Sequence, residues 1–332
     1  MQPPVIAITM GDAAGIGPEL IVKILDDEQV YALFRPIVIG DHAVMEKIAG
    51  TLDSDLQFRA IDAVSNAKFA PGVVEVLSPE DLAIEDVTWG KLDVKLGRAA
   101  GLCLQKAMEL GQSGAVQGAV FAPMNKEAFH LGGYDYRDEL EFLADLTNSQ
   151  DTYIAGLVGT LWTATVSEHV SLSEAVATVR REPILRSIHR LDNLLEGIGR
   201  GEATIAVAAL NPHGGEGGLF GTEEIEEIEP AVRLAQQDDV DARGPYPADT
   251  IFITAQAEGY DAVLCMYHDQ ANIARKLLAT WDGATVFMGL PIPCATTAHG
   301  TAFDKAGQGI SNPGSLRVAL ECVAALAGKR MR

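Results

Sequence analysis

Short apolar runs recur along the chain as VIAITM (5–10), RPIVIG (35–40), GAVQGAVFA (114–122), ATIAVAAL (203–210) and DAVLCMYH (261–268). They are rich in β-branched and small residues and lack strict polar alternation, the pattern of strands buried on both faces of a parallel sheet. Between them the periodicity becomes helical, in GPELIVKILDD (17–27), residues 91–110, SLSEAVATV (171–179), EPILRSIHRLDNLLEGI (182–198), TEEIEEIEPAVRLAQQ (222–237) and GSLRVALECVAALAGK (314–329). This alternation predicts an α/β fold. Behind Thr222, Glu223 and Glu224 suit the positive end of a helix dipole, and the acidic run TEEIEEIEP (222–230) that holds them is expected to be a solvated helix face.

A chain of 332 residues exceeds one ordinary small core, so two lobes are expected, although no linker, repeat or low-complexity segment marks a boundary. With 48% hydrophobic and 21% charged residues the composition is globular, and no apolar run is long enough to cross a bilayer. The opening MQPPVIAITMGD enters a strand-like run without a basic leader or cleavage site, so secretion is not expected. Forty-six acids against 25 bases give a formal charge of −21, which opposes tracking of a nucleic-acid backbone. A small anion needs only a few local donors and stays compatible with that charge. Cys103, Cys265, Cys294 and Cys322 show no paired short spacing and read as reduced thiols of a cytoplasmic protein.

Candidate chemistry gathers in two loops and three histidines. GDAAGIGPEL (11–20) joins a strand to a helix. Gly15 and Gly17 allow close backbone approach and Pro18 suits a first helical turn, but the spacing is not the usual dinucleotide fingerprint and a structural turn remains an alternative. AHGTAFDKAGQGISNPGS (298–315) combines His299, Gly300, Thr301, Gly307 and Asn312 just before the terminal helix. It resembles the adenosine-binding loop of isopropylmalate and isocitrate dehydrogenases, whose first strand also runs into a glycine-rich loop. Two such loops at opposite chain ends imply one lobe built from both termini. His169, His213 and His268 sit at or after strand ends. Three imidazoles with an open position suit a catalytic divalent metal, whereas each alone would more often be an ordinary hydrogen-bonded side chain. His42, His130 and His189 have no such company.

The blocks ITMGDAAGIGPEL, APMNKEAFHLGG, LNPHGGEGGLFGTEEI, PADT, MYHDQ and HGTAFDKAGQG together resemble, in order and over essentially the whole chain, the 4-hydroxythreonine-4-phosphate dehydrogenase family. The resemblance implies a two-lobed α/β/α fold of the isopropylmalate dehydrogenase type with the active site in the cleft between lobes. Residues 1–125 and 280–332 would form the cofactor lobe, and residues 126–279 the lobe with the metal histidines and dimer contacts. It implies a homodimer with the site near the partner subunit, and NAD or NADP as cofactor. One divalent metal, zinc or else cobalt, manganese or magnesium, falls on His169, His213 and His268. The implied reaction oxidises a secondary alcohol of a hydroxy acid and decarboxylates the resulting β-keto acid.

Substrate contacts fall on Lys276, which could hold a substrate oxygen or shuttle a proton, and on Glu139, Leu140, Thr285 and Cys294. Those last four depart from the family, which carries histidine, threonine, asparagine and arginine there. Exchanging cationic partners for a carboxylate disfavours an anionic group. Asp269 is expected to ligate the metal or to orient an imidazole, and Lys126 could reach cofactor or substrate. RKLLATWDGAT (275–285) resembles relatives that oxidise cis-dihydrodiols of aromatic dicarboxylates, so an unphosphorylated dihydrodiol is an alternative substrate. From other classes, the same histidines could serve a hydrolase by activating water, or the fold could persist as a non-catalytic binding protein.

Overall fold

The computed structural model describes residues 2–279 and 282–330. The chain forms two compact units, one of residues 1–153 and 283–332 and one of residues 154–282.

The first unit opens with β1 (Val5–Thr9), α1 (Gly17–Leu25), β2 (Arg35–Ile39), α2 (His42–Thr51), β3 (Gln57–Ala60), β4 (Val73–Leu77), α3 (Val94–Gln112), β5 (Gly118–Phe121), α4 (Lys126–Leu131) and α5 (Glu139–Thr147). The second unit contains β6 (Tyr153–Val158), β7 (Leu161–Ser167), α6 (Leu172–Thr178), α7 (Arg181–Gly197), β8 (Ile205–Ala208), α8 (Glu229–Gln237), β9 (Ala242–Tyr246), α9 (Ile251–Glu258), β10 (Ala262–Tyr267) and α10 (His268–Leu278). The chain then returns to the first unit through β11 (Gly283–Met288), β12 (Cys294–Thr297) and α11 (Gly314–Arg330).

In the first unit the strand order is β3-β4-β2-β1-β5-β12-β11, and in the second β6-β7-β10-β8-β9. Pairing is parallel apart from β11 with β12 and β6 with β7. The central strands β1, β5, β8 and β10 are buried along almost their whole length, as near-continuous apolar runs require. Ile6, Ile8, Ile37 and Ile39 are sealed in the first unit. Leu161, Ala206, Ile251, Phe252, Val263 and Cys265 cluster in the second.

Residues 126–153 pack with the terminal unit, whereas the motif order places residue 126 onward in the middle lobe. The physical reason lies in α3. A Cβ at Gly97 would stand 2.0 Å from the Ala128 carbonyl oxygen, so only glycine lets α4 lie this close to α3. Phe129, Tyr134 and Phe142 then stack and cross edge-to-face over the same helix, with ring centroids 4.5–5.4 Å apart. The expected lobe boundary at residue 280 lies outside the described residues.

Candidate active site

The second unit concentrates polar side chains at the carboxyl ends of three neighbouring parallel strands, where open α/β sheets place their ligands. Ser167 at the end of β7 is in register with Tyr267 at the end of β10. Glu168 and His169 therefore emerge beside His268, the first residue of α10. The His169 and His268 rings stand 5.6 Å apart, and one ligand atom from each of Glu168, His169 and His268 lies within 4.8 Å of the others. Two imidazoles and a carboxylate at that spacing suit a divalent transition metal.

The neighbouring residues orient these groups. Asp269 Oδ1 lies 2.7 Å from His268 Nδ1, which selects the tautomer that turns the Nε2 lone pair outward. Gln270 fastens two strand ends together: its Oε1 accepts the Met266 N–H at 2.8 Å and its Nε2 donates to the Ala209 carbonyl at 3.0 Å. Glu168 accepts a short hydrogen bond from the Thr165 hydroxyl.

His213 follows β8, the other strand paired with β10, but stands outside the group of three. It lies exposed on a loop whose backbone is left-handed at every residue from His213 (φ 54°) through Gly214, Gly215 and Glu216 to Gly217 (φ 63°). Glycine accepts that conformation readily, whereas histidine and glutamate resist it. The loop is anchored from below. Glu224 accepts the backbone N–H groups of Leu210 and Asn211 at 2.8 and 2.7 Å, and its second oxygen takes the Asn211 side-chain amide at 2.9 Å. The expectation of a solvated acidic face is corrected at Glu224, which is buried, while Glu226 is exposed and Glu223, Glu227 and Glu229 are half-buried. Glu224 is drawn inward by a π-helical turn, Glu224–Ile228, that precedes α8.

Lys276 is exposed in the last turn of α10, about 12 Å along the helix axis from His268 at about 1.5 Å per residue. Arg275, one residue earlier, is largely buried, and burial pushes its guanidinium below the usual range while the charge of Glu168 opposes that shift. Of the dihydrodiol-type segment, Thr280 and Trp281 lie outside the described residues.

In the first unit the two glycine-rich loops touch. The Ile16 N–H donates to the Thr301 carbonyl at 3.1 Å, with Gly15 packed on the Thr301 side chain. A Cβ at Gly17 would stand 2.4 Å from the Met10 carbonyl oxygen. A buried carboxylate holds the second loop to α1: Glu19 accepts the Ser311 and Gly309 N–H groups, and Lys23 donates to the Gly309 and Ser311 carbonyls and to Glu19 itself. The motif reading passed over Glu19 and Lys23; their spacing of four on one helix face was the available signal. Gly307 has a left-handed backbone against Trp89, while Gly300 and Asn312 are exposed. Burial holds the His299 imidazole below its usual range, against the bond its ring makes with the Gly300 carbonyl.

Glu139 heads α5 with its carboxylate 3.6 Å from Lys126 Nζ, so its charge is matched. It shares a small recess with Thr9, Gly11, Met124 and Thr296. Leu140 is buried, and Thr285 is half-buried opposite Thr296. Cys294 is sealed in the core, its sulfur 3.8 Å from Met108 Sδ and 3.4 Å from the Ile292 carbonyl. Its thiol thus faces the interior, because β12 is covered on the side that Cys294 occupies.

Residues 32–323 match the family model described as pyridoxal phosphate biosynthetic protein PdxA. The chain belongs to the PdxA family. It is 38% identical to the D-threonate 4-phosphate dehydrogenase of Salmonella typhimurium over 328 residues, covering 98% of this chain and all of that one. A crystal structure of a 4-hydroxythreonine-4-phosphate dehydrogenase from Burkholderia phymatum superposes with a TM-score of 0.82 at 38% identity, covering 98% of each chain. A terephthalate 1,2-cis-dihydrodiol dehydrogenase from Burkholderia xenovorans LB400 gives 0.67 at 25%, covering 97% of this chain and 98% of that one. As a PdxA family member the chain is an oxidoreductase acting on CH–OH groups, with a nicotinamide cofactor and a divalent metal.

Proposed function

We propose that this chain oxidises the secondary alcohol of a phosphorylated four-carbon hydroxy acid, of the D-threonate 4-phosphate or 4-hydroxythreonine-4-phosphate type, with loss of carbon dioxide from the β-keto acid where one forms. The observation that carries this reading is the gathering of His169, His268 and Glu168 at the carboxyl ends of adjacent strands. A divalent cation held there would polarise an alcohol oxygen, and a bound NAD or NADP would accept the hydride. Asp269 keeps His268 in the ligating tautomer, and Gln270 keeps β10 and β8 in step. Lys276 addresses the part of the substrate that extends away from the imidazoles. The ion pair with Lys126 neutralises Glu139, which supports a phosphorylated substrate despite the departure from the family at that position.

The metal set is completed by His213, and the homodimer is the setting for it. Support for association comes from apolar side chains exposed on the second unit: Ile273 and Leu277 form one stripe of α10 at 61% and 80% exposure, Leu172 of α6 is 61% exposed, and Leu219 in the His213 loop is 74% exposed. Among the described residues no helix is long and apolar enough to cross a membrane, and a cytoplasmic location fits four buried free thiols.

The decisive assay follows reduction of NAD or NADP on D-threonate 4-phosphate, 4-hydroxythreonine 4-phosphate, their unphosphorylated counterparts and a cis-dihydrodiol carboxylate. Zinc, cobalt, manganese or magnesium is added in turn. Turnover confined to the phosphorylated acids and abolished by chelation is expected. Turnover of the dihydrodiol alone would overturn the proposal.

A further inference from the structure

Residues 298–313, between β12 and α11, form neither helix nor strand, and a loop of that length would ordinarily fluctuate. This one is tied down at intervals. Thr301 accepts the Ile16 N–H at 3.1 Å, a Cβ at Gly90 would stand 2.5 Å from the Phe303 carbonyl oxygen, and one at Gly307 would stand 2.7 Å from Trp89 Cδ1. The firmest tie is the pair Glu19 and Lys23 on α1. Gly309 and Ser311 each give their N–H to Glu19, at 3.2 and 2.8 Å. Their carbonyls accept from Lys23 Nζ at 2.9 and 2.7 Å, and the two side chains meet each other at 2.9 Å. An acid and an amine thus bind both polar backbone groups of two alternate residues, as a neighbouring strand would. Because α1 leaves directly from the first glycine-rich loop, the same clamp fixes the two loops relative to each other.

Glu19 is sealed from solvent and the side chain of Lys23 is only 25% exposed. Stability alone does not call for such a pair, since charges taken out of water need good geometry to offset their desolvation and apolar packing joins segments at least as well. What the charged pair adds is direction: it fixes the N–H and C=O vectors of residues 309 and 311, and with them the backbone between. We propose that Glu19 and Lys23 are positioning residues that hold the 298–313 loop in its dinucleotide-binding conformation before the cofactor arrives. The proposal rests on the reading that this loop takes NAD or NADP. A flexible loop must be ordered at each binding event, which weakens affinity, whereas a clamped one is ordered during folding. Neither side chain needs to touch the cofactor, so the effect falls on cofactor affinity and KM and not on the hydride step.

The test measures NAD and NADP affinity by calorimetry and amide hydrogen exchange at Gly309 and Ser311 on the full chain, with steady-state KM and kcat for the cofactor alongside. Wild type is compared with Lys23→Met, the milder Lys23→Gln and the charge-keeping Lys23→Arg. Lys23→Met is expected to weaken dinucleotide binding at least tenfold, speed exchange at both amides and raise the cofactor KM by a similar factor. Its kcat should stay within threefold of wild type, and Lys23→Arg should restore most of the affinity. If Lys23→Met, or Lys23→Gln should the former not fold, binds the dinucleotide within threefold of wild type, the clamp serves the fold alone and the inference falls while the cofactor reading stands. Wild type that binds neither NAD nor NADP would overturn both.

Discussion

Asp12 shows how a single buried group sets the acid response of the first unit. Its Oδ1 accepts the Ala14 N–H, while Oδ2 is buried with no hydrogen-bond partner among the described residues. Burial pushes the carboxyl up from 3.8 to about 6; the Ala14 N–H opposes this and the charge of Asp93 adds to it. Because the folded value lies above the unfolded one, the proton binds the fold more tightly. The stability this contributes is complete below about pH 4 and is lost as pH rises through about 6, amounting to roughly 3 kcal/mol. Denaturant unfolding of Asp12→Asn between pH 4 and 7 should lack that decline, and parallel curves for variant and wild type would contradict it. Glu139 is a second residue whose effect can be measured. Removing its charge while keeping its shape, as Glu139→Gln, should lower KM for a phosphorylated acid by up to about fivefold, the range of an exposed ion pair, and leave an uncharged diol unaffected. Steady-state kinetics on both substrates decides it. Cys294 was the position where residue-level reading failed, because alignment with a family contact says which residue occupies a place in the chain and not which way its side chain turns. The contact between Asp269 and the His268 ring was legible, since a carboxylate one residue from a histidine is within reach of its Nδ1.

At the level of elements, the sequence patterns located the buried strands well and their surroundings less well. β1, β2, β5, β8 and β10 fall inside the expected apolar runs, because a strand covered on both faces must be apolar throughout. β3, β4, β6, β7, β9, β11 and β12 were not foreseen. β3 and β9 lie at the ends of their strand orders with few buried positions, and β6 and β7 mix apolar with polar residues. The acidic helix was misread for a local reason: a π-helical turn widens the helix by one residue per turn, which rotates Glu224 inward, and no simple period reports that. Glu224 supports the His213 loop through three accepted hydrogen bonds, so Glu224→Ala leaves half-buried donors without their acceptor. A loss of about 2–3 kcal/mol in stability is expected, measured by chemical denaturation. Metal affinity should fall as well if His213 completes the set, and unchanged affinity would remove His213 from it.

For the whole molecule, assembly is the property that composition leaves open. A formal charge of −21 repels copies of this chain from each other at long range, yet the second unit exposes a set of apolar side chains that water disfavours. Leu277→Asp places a charge on the exposed apolar stripe of α10 without touching a buried position. Sedimentation should show wild type as a dimer and the variant as a monomer with the same helix content, and a dimeric variant would move the interface elsewhere. Such an interface would draw on the His213 loop, and that loop has one more implication. A histidine in the left-handed region sits above glycine by about 1 kcal/mol, and the four glycines at 214, 215, 217 and 218 show that the loop can do without side chains. His213→Gly should therefore relieve that strain and raise the melting temperature of the apo-protein slightly, whatever it does to the site.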